Sequence, residues 1–419
     1  MELYKHQRDF LSLNKSKSLL CWDTGTGKTL TSLLWAKERG LGSQTLIICP
    51  KALKENWGRN ARKIFEHGAV PTILTKEEFR KASKDLFPYN TIIVDESHYF
   101  ASTKSQMSKS LSSYIKKNKT QNILLLTATP YRSSPWDIYT LAKHLGYDWS
   151  WYRFFDKFFE EVYVGRGKKV PKVRDGIEDE LASLVSKIGS IVKIEDCADI
   201  PEQIFDTEVF ELTKEQEKIK KETYHANPIV RYTQHHEIEN GVLVSDGYRD
   251  ALLDIDSNKT ERILELCREN KKIIVVCRYN LQIDALYKQC KEIHDFVYII
   301  RGDVKNRDEV VQLAESLPEC ILLIQAACSE GYELPSFPLM VFASMDFSYV
   351  NYKQMLGRIL RLNKLKKNVY LHLLTNGIDQ AVYNAIMKKR DFSLSIYADS
   401  IKESTALEDI SGKGIPDPF

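Results

Sequence analysis

No stretch of this 419-residue chain stays apolar for the roughly 20 residues that a helix needs to cross a membrane. Met1 to Phe10 lacks the apolar region of a signal peptide, so a cytoplasmic location is expected. Cysteine is sparse: eight residues, scattered, with no Cys-x-x-Cys pair. That pattern argues against a disulfide framework or a zinc site, and Cys49 and Cys277 fall in runs that read as buried strands, which predicts reduced core thiols. His225, His235 and His236 have no acidic or Cys partners at ligand spacing and are not read as a metal site. Charge of one sign is also missing. With 60 Lys and Arg against 57 Asp and Glu, the net charge is only +3, so attraction for a polyanion has to be local. No internal repeat is visible.

What is present is an alternation of strand-like and helical stretches. Thr91-Ile92-Ile93-Val94 is a continuous apolar, β-branched run, the pattern of a parallel strand covered on both faces, and Lys271 to Cys277 also reads as a buried strand. Strands expected near Leu19, Leu46, Ile92 and Ile123 make a parallel α/β lobe over residues 1–140. Strands near Ile273, Val297, Ile321, Met340 and Val369 make a second one over 256–392. Residues 141–255, aromatic-rich to Tyr163 and then charged, are expected to form a helical elaboration and linker. Residues 393–419, with Gly, Pro and acidic residues, read as a mobile tail.

The most constrained chemistry lies in Gly25-Thr26-Gly27-Lys28-Thr29, after a short apolar strand and before a helix predicted over Leu30 to Arg39 and ended by Gly40. Glycines there let backbone N–H groups turn toward phosphate oxygens, and the helix N-terminus adds partial positive charge. Lys28 is expected to reach the β- and γ-phosphates of ATP and Thr29 to ligate Mg2+, with Gly25, Thr26 and Gly27 lining the cradle. One departure stands out: the strict eight-residue pattern wants glycine at position 22, where this chain has Trp22. Asp95 and Glu96 follow the Thr91–Val94 run, at the strand end where open α/β sheets bind ligands. Asp95 is the expected Mg2+ ligand and Glu96 the base that orients and deprotonates water. Far downstream, Gln354-x-x-Gly357-Arg358-x-x-Arg361 places two arginines on what reads as one helix, suited to stabilising charge on a transferring phosphoryl group.

In this order the motifs resemble those of superfamily 2 helicases and translocases, with details similar to the SNF2-like branch. Tyr4-Lys5-His6-Gln7 resembles the glutamine motif that reads adenine, which makes Gln7 a candidate nucleotide contact. Cys49-Pro50-Lys51-Ala52-Leu53-x-x-Asn56-Trp57 is similar to the SNF2 form of motif Ia, and Asp95-Glu96-Ser97-His98 stands for the DEAH box. Leu126-Thr127-Ala128-Thr129-Pro130 looks like motif III. Trp151 to Phe158 is similar to the aromatic segment that follows it, and Ile204 to Gln216 to the strand-then-helix entry to the second lobe. Arg301-Gly302-Asp303 resembles the next SNF2 element. Ser329 to Pro335 looks like motif V, though closer to the Gly-Leu-Asp-Ile-Pro form of other helicases, and Gln354 to Arg361 fits motif VI.

The resemblance covers about residues 1–390. It implies two RecA-like parallel-sheet lobes in tandem, with ATP on the first and Arg358 and Arg361 reaching it from the second. It further implies coupling roles for His98, Thr127, Thr129 and Gln354, a nucleotide contact at Glu333, and nucleic-acid contacts at Lys51, Trp57, Lys168, Lys169 and Arg278. Basic clusters at Lys51 to Lys63, Arg166 to Arg174 and Lys364 to Lys367 are candidate phosphate contacts, against the alternative of solvated surface. The favoured expectation is a monomeric ATP- and Mg2+-dependent translocase on double-stranded DNA, targeted by protein partners or by residues 141–255. A strand-separating DNA or RNA helicase stays open, and so does a nucleic-acid-binding switch with weak or no motor activity.

Overall fold

A computed structural model of the chain describes residues 3–65, 70–130, 134–163, 169–174, 176–197, 201–244, 252–360 and 367–388. The chain divides near Ile200 into two compact units.

The first unit is built on β1 (Lys17–Trp22), β2 (Thr45–Cys49), β3 (Thr72–Thr75), β4 (Thr91–Val94) and β5 (Asn122–Thr127). An antiparallel hairpin, β6 (Phe159–Tyr163) with β7 (Lys169–Val173), stands apart from the sheet, and β8 (Gly189–Val192) completes it. The order is β3-β2-β4-β5-β1-β8, every pairing parallel. Side chains alternate between the faces. Leu20, Ile47, Ile93 and Leu124 pack on one side with Trp35 and Trp57, whereas Leu19, Ile48, Ile92 and Leu125 pack on the other with Phe79 and Tyr114. Helices cover both faces, so β2 and β4 are buried along their whole length. Three helices matter for the site: α1 (Lys5–Ser12), α2 (Lys28–Glu38) and α3 (Lys54–Ile64).

The second unit contains β9 (Gln203–Phe210), a small antiparallel pair β10 (Val242–Val244) and β11 (Leu252–Asp254), then β12 (Lys272–Cys277), β13 (Val297–Ile300), β14 (Cys320–Gln325), β15 (Leu339–Phe342) and β16 (Asn368–Thr375). Its main sheet has the order β13-β14-β12-β15-β16-β9, again wholly parallel. Each unit is thus a six-stranded parallel α/β lobe, as expected, and every strand expected from an apolar run is present.

Residues 141–255 differ from the expectation of a helical elaboration. They hold the hairpin, and they supply one edge strand to each main sheet, β8 beside β1 and β9 beside β16. The reason is local. A Cβ at Gly189 would lie 1.9 Å from the Leu19 carbonyl oxygen, so glycine lets this segment close on the sheet. The first lobe therefore runs on past residue 140 to about Ile200, and the second begins at Pro201. The expected tail, 393–419, lies outside the described residues.

Candidate active site

The candidate phosphate loop joins β1 to α2. Gly25 and Gly27 have φ of 86° and 85°, a region in which glycine alone is comfortable, and Gly27 caps the N-terminus of α2. Position 22 has no such need. Trp22 ends β1 with its side chain fully buried, its indole N–H donating to Ser190 Oγ at 3.0 Å and its ring edge-on to His6 and Phe10. The departure from the strict glycine pattern is thus a buried core residue.

Helix α1 braces the loop. Gln7 is 1% exposed, its Oε1 accepts from the Tyr4 N–H at 2.9 Å, and its Nε2 donates to the Gly27 carbonyl at 3.4 Å. The His6 ring nitrogen Nε2 lies 2.9 Å from the Thr26 carbonyl oxygen. Gln7, expected as a nucleotide contact, is here a buried support for the loop backbone. Thr26 is buried too, its hydroxyl donating to the Asp23 carbonyl at 2.7 Å. Thr29 sits half-buried in the first turn of α2.

Lys28 donates to the carbonyl oxygens of Trp22 at 2.7 Å and Asp23 at 3.1 Å. Burial lowers its pKa, and the charges of Glu96, Asp95 and Asp23 oppose that shift. The loop lysine and the acid pair therefore share one field. Asp95 and Glu96 leave the buried end of β4 and are themselves almost wholly buried. Burial, with the Glu96 charge beside it, pushes the Asp95 carboxyl up to about 7. Its two oxygens are addressed separately: Oδ1 accepts from the Glu96 N–H at 2.9 Å, and Oδ2 from the Trp57 indole N–H at 2.8 Å. Glu96 adopts φ 47° and ψ 51°, a left-handed conformation that costs a non-glycine residue on the order of 1 kcal/mol and is typical of functional turns.

His98 links this acid to the end of β5. Its Nδ1 lies 3.2 Å from both Glu96 Oε2 and Thr127 Oγ1. The Thr127 hydroxyl donates to the Thr129 carbonyl at 3.0 Å and accepts from the Thr129 N–H at 3.1 Å. A proton on Nδ1 would serve both Glu96 Oε2 and Thr127 Oγ1. Three of the expected coupling residues thus lie in one hydrogen-bonded run.

Trp57 requires a correction. It was expected on the nucleic-acid surface, but it is 1% exposed and packs in the lobe core with Ala61 and Ile64. The opposite face of α3 carries exposed Arg59, Arg62 and Lys63, and Lys51 is exposed just before the helix. Lys169 is exposed on the hairpin but paired with Glu161 at 2.9 Å, and Lys172 pairs with Glu160 at 3.3 Å. Lys168, Arg166, Lys364 and Lys366 lie outside the described residues.

In the second unit, Gln354 is buried and accepts from Ser329 Oγ at 3.0 Å through Oε1. Its backbone carbonyl accepts from Arg358 Nε, also at 3.0 Å. The helix carrying this motif, Tyr349–Leu356, ends before Arg358, which stands in the following turn with 6% exposure. Arg358 was expected on this helix but lies past its end, because the helix stops at Gly357. Arg361 lies outside the described residues. Arg278 forms an ion pair with Asp346 and stacks 3.6 Å from the Phe347 ring centroid, and Glu333 is exposed after β14.

Among the described residues there is no cluster of three or more His, Cys, Asp or Glu that could hold a metal by itself, and no helix is long and apolar enough to cross a membrane. The eight cysteines are all free.

A family model for the SNF2-related domain matches residues 72–275, and one for the helicase conserved C-terminal domain matches 258–363. A SWI/SNF-related matrix-associated actin-dependent regulator of chromatin subfamily A-like protein 1 from Drosophila melanogaster is 20% identical over 96% of this chain and 57% of its own length. An uncharacterized ATP-dependent helicase, YqhH, from Bacillus subtilis is 27% identical over 31% of this chain and 27% of its own. The chain therefore spans little more than half the length of the first relative. Among solved structures, S. cerevisiae Dbp5 bound to RNA and ADP BeF3 has a TM-score of 0.53 at 12% identity, covering 92% of this chain and 87% of that one, which supports the two-lobed fold. With an SNF2-related domain running into a helicase C-terminal domain, this chain belongs to the SNF2-like branch of the superfamily 2 helicases.

Proposed function

We propose that this chain hydrolyses ATP on its first unit and uses the energy to move along double-stranded DNA. One observation carries the ATPase reading: Lys28, Asp95 and Glu96, from two distant segments, meet at the C-terminal end of one parallel sheet and act on one another's charge. In that arrangement Lys28 would exchange its two carbonyl partners for the terminal phosphates. Glu96, aimed by its left-handed backbone and by His98, would hold and deprotonate the attacking water. The donor set fits Mg2+, an oxygen-seeking ion bound by few protein ligands in phosphate sites. Asp95 and the Thr29 hydroxyl would hold it, and when bound it would supply positive charge against the β- and γ-phosphates. Arg358 and Arg361 would stabilise charge growing on the γ-phosphate.

The SNF2-related match favours duplex tracking over strand separation. The exposed basic residues Lys51, Arg59, Arg62 and Lys63 supply local positive charge on an otherwise nearly neutral chain. Arg278 and Lys169 are weaker candidates because each already has a carboxylate partner. A second reading, a strand-separating helicase, draws on the motif-V-like segment Ser329 to Pro335, whose form is closer to other helicases. We further propose a cytoplasmic, monomeric protein. ATPase rates measured with duplex DNA, single-stranded DNA and RNA at one salt concentration separate the readings. Stimulation by duplex at least equal to that by single strands is expected, and stimulation by RNA alone would remove the DNA reading.

A further inference from the structure

Trp57 is a large side chain spent on one small contact. Its ring fills the core under α3, where Ala61 and Ile64 continue the same stripe, and phenylalanine would serve that packing. What phenylalanine lacks is the indole N–H, which donates to Asp95 Oδ2 at 2.8 Å across 38 residues of chain. Both groups are buried, with Trp57 at 1% and Asp95 at 7% exposure. The other carboxylate oxygen accepts the Glu96 N–H at 2.9 Å. Each oxygen can accept more than one hydrogen bond, so the two donors fix the plane of the carboxylate and leave acceptor capacity on both atoms. A carboxylate held at both ends cannot swing about its side-chain torsion as an unsupported one can.

We propose that Trp57 is a positioning residue for magnesium: its indole N–H holds Asp95 in the orientation in which the carboxylate takes up the ion. This rests on the reading of Asp95 as the Mg2+ ligand. Outer partners that orient a metal ligand are worth about 10- to 100-fold in metal affinity where they have been removed. Trp57 therefore affects the ion without touching it, and its role lies inside the lobe rather than at the nucleic-acid surface.

The test is a Mg2+ titration of the full chain, read as binding of a fluorescent non-hydrolysable ATP analogue rather than as activity. Trp57→Phe is expected to raise the Mg2+ concentration for half-maximal binding at least tenfold, while analogue affinity in EDTA stays unchanged. Should Trp57→Phe fail to fold, the isostere β-(3-benzothienyl)alanine at position 57 keeps the ring shape, replaces N–H by sulfur, and is expected to behave the same way. A folded variant with the wild-type Mg2+ requirement, or one that loses affinity equally in EDTA, would overturn the proposal and leave Trp57 a packing residue. Wild-type protein that binds the analogue without any Mg2+ dependence would instead overturn the assignment of Asp95, and this inference with it.

Discussion

Asp95 and Glu96 interact so closely that substitution of one is read out in the other. The Asp95 carboxyl sits near 7 because it is buried and, next in size, because Glu96 is charged beside it. A carboxyl raised in the folded state stabilises the fold fully below its unfolded value of about 4 and loses that contribution as pH rises through 7. The proton it keeps must leave before a cation can bind, so Mg2+-dependent nucleotide binding should weaken as pH falls below 7. Glu96→Gln removes the neighbouring charge. It is expected to move the midpoint of that pH dependence downward while nucleotide binding persists, and to cut kcat by more than tenfold, about 1.4 kcal/mol of barrier. An unmoved midpoint, or a variant retaining over a tenth of wild-type turnover, would count against the assignment. Lys28, Thr29, Asp95 and Glu96 could be picked out as candidates in the sequence because phosphate and metal chemistry restricts residue type and spacing together. Trp57 was misread. Its place in a motif marks it as important, but only burial and the contact to Asp95 show that it faces inward.

At the scale of elements, the brace of α1 on the phosphate loop makes a sharper claim than the glycine pattern. A Cβ at Gly27 would lie 2.3 Å from Gln7 Nε2, on a backbone at φ 85°. Gly27→Ala should therefore weaken nucleotide binding at least tenfold in a protein whose circular dichroism is unchanged. Two buried imidazoles set a different limit. Desolvation holds His144, packed between Ser108 and Ser112 in the first unit, and His372, beside Tyr352 in the second, down to about 4. A histidine lowered in the folded state contributes stability above about 6.5 that is lost as pH falls toward 4, on the order of 3 kcal/mol each. Denaturant midpoints should fall between pH 6.5 and 4, and His144→Gln should flatten that dependence. The long apolar strands were readable because covered parallel strands have a simple pattern. β3, β8 and the hairpin were missed. Half-exposed strands such as β3 and β8 do not show that pattern, and β8 is admitted to the sheet by one glycine.

For the whole molecule, the motif order identified two lobes, whereas their boundary was misjudged. A change from apolar to aromatic and charged composition after residue 140 marks a change in exposure, not the end of a sheet that still gains an edge strand at Gly189–Val192. The proposed motor function belongs to this scale too, because the loop lysine and the acid pair lie in the first unit and Arg358 in the second. Arg358→Lys keeps the charge but loses the planar fork, and the same holds for Arg361→Lys. Each is expected to slow hydrolysis by on the order of 10³-fold or more, with nucleic-acid affinity in the absence of ATP nearly unchanged. Normal hydrolysis with poor nucleic-acid binding would make that segment a binding surface instead. Charge sets how the proposed DNA substrate would be held. A chain of net charge +3 can grip DNA only through local basic groups, and each phosphate neutralised releases counterions. Duplex stimulation of the ATPase should therefore fall steeply between 50 and 200 mM salt, by about 10³-fold in affinity if six phosphates are contacted. A motor that follows one strand of intact duplex should also displace the third strand of a triplex while leaving a plain fork paired. Efficient fork unwinding, with no triplex displacement, would promote the strand-separating reading over the duplex translocase.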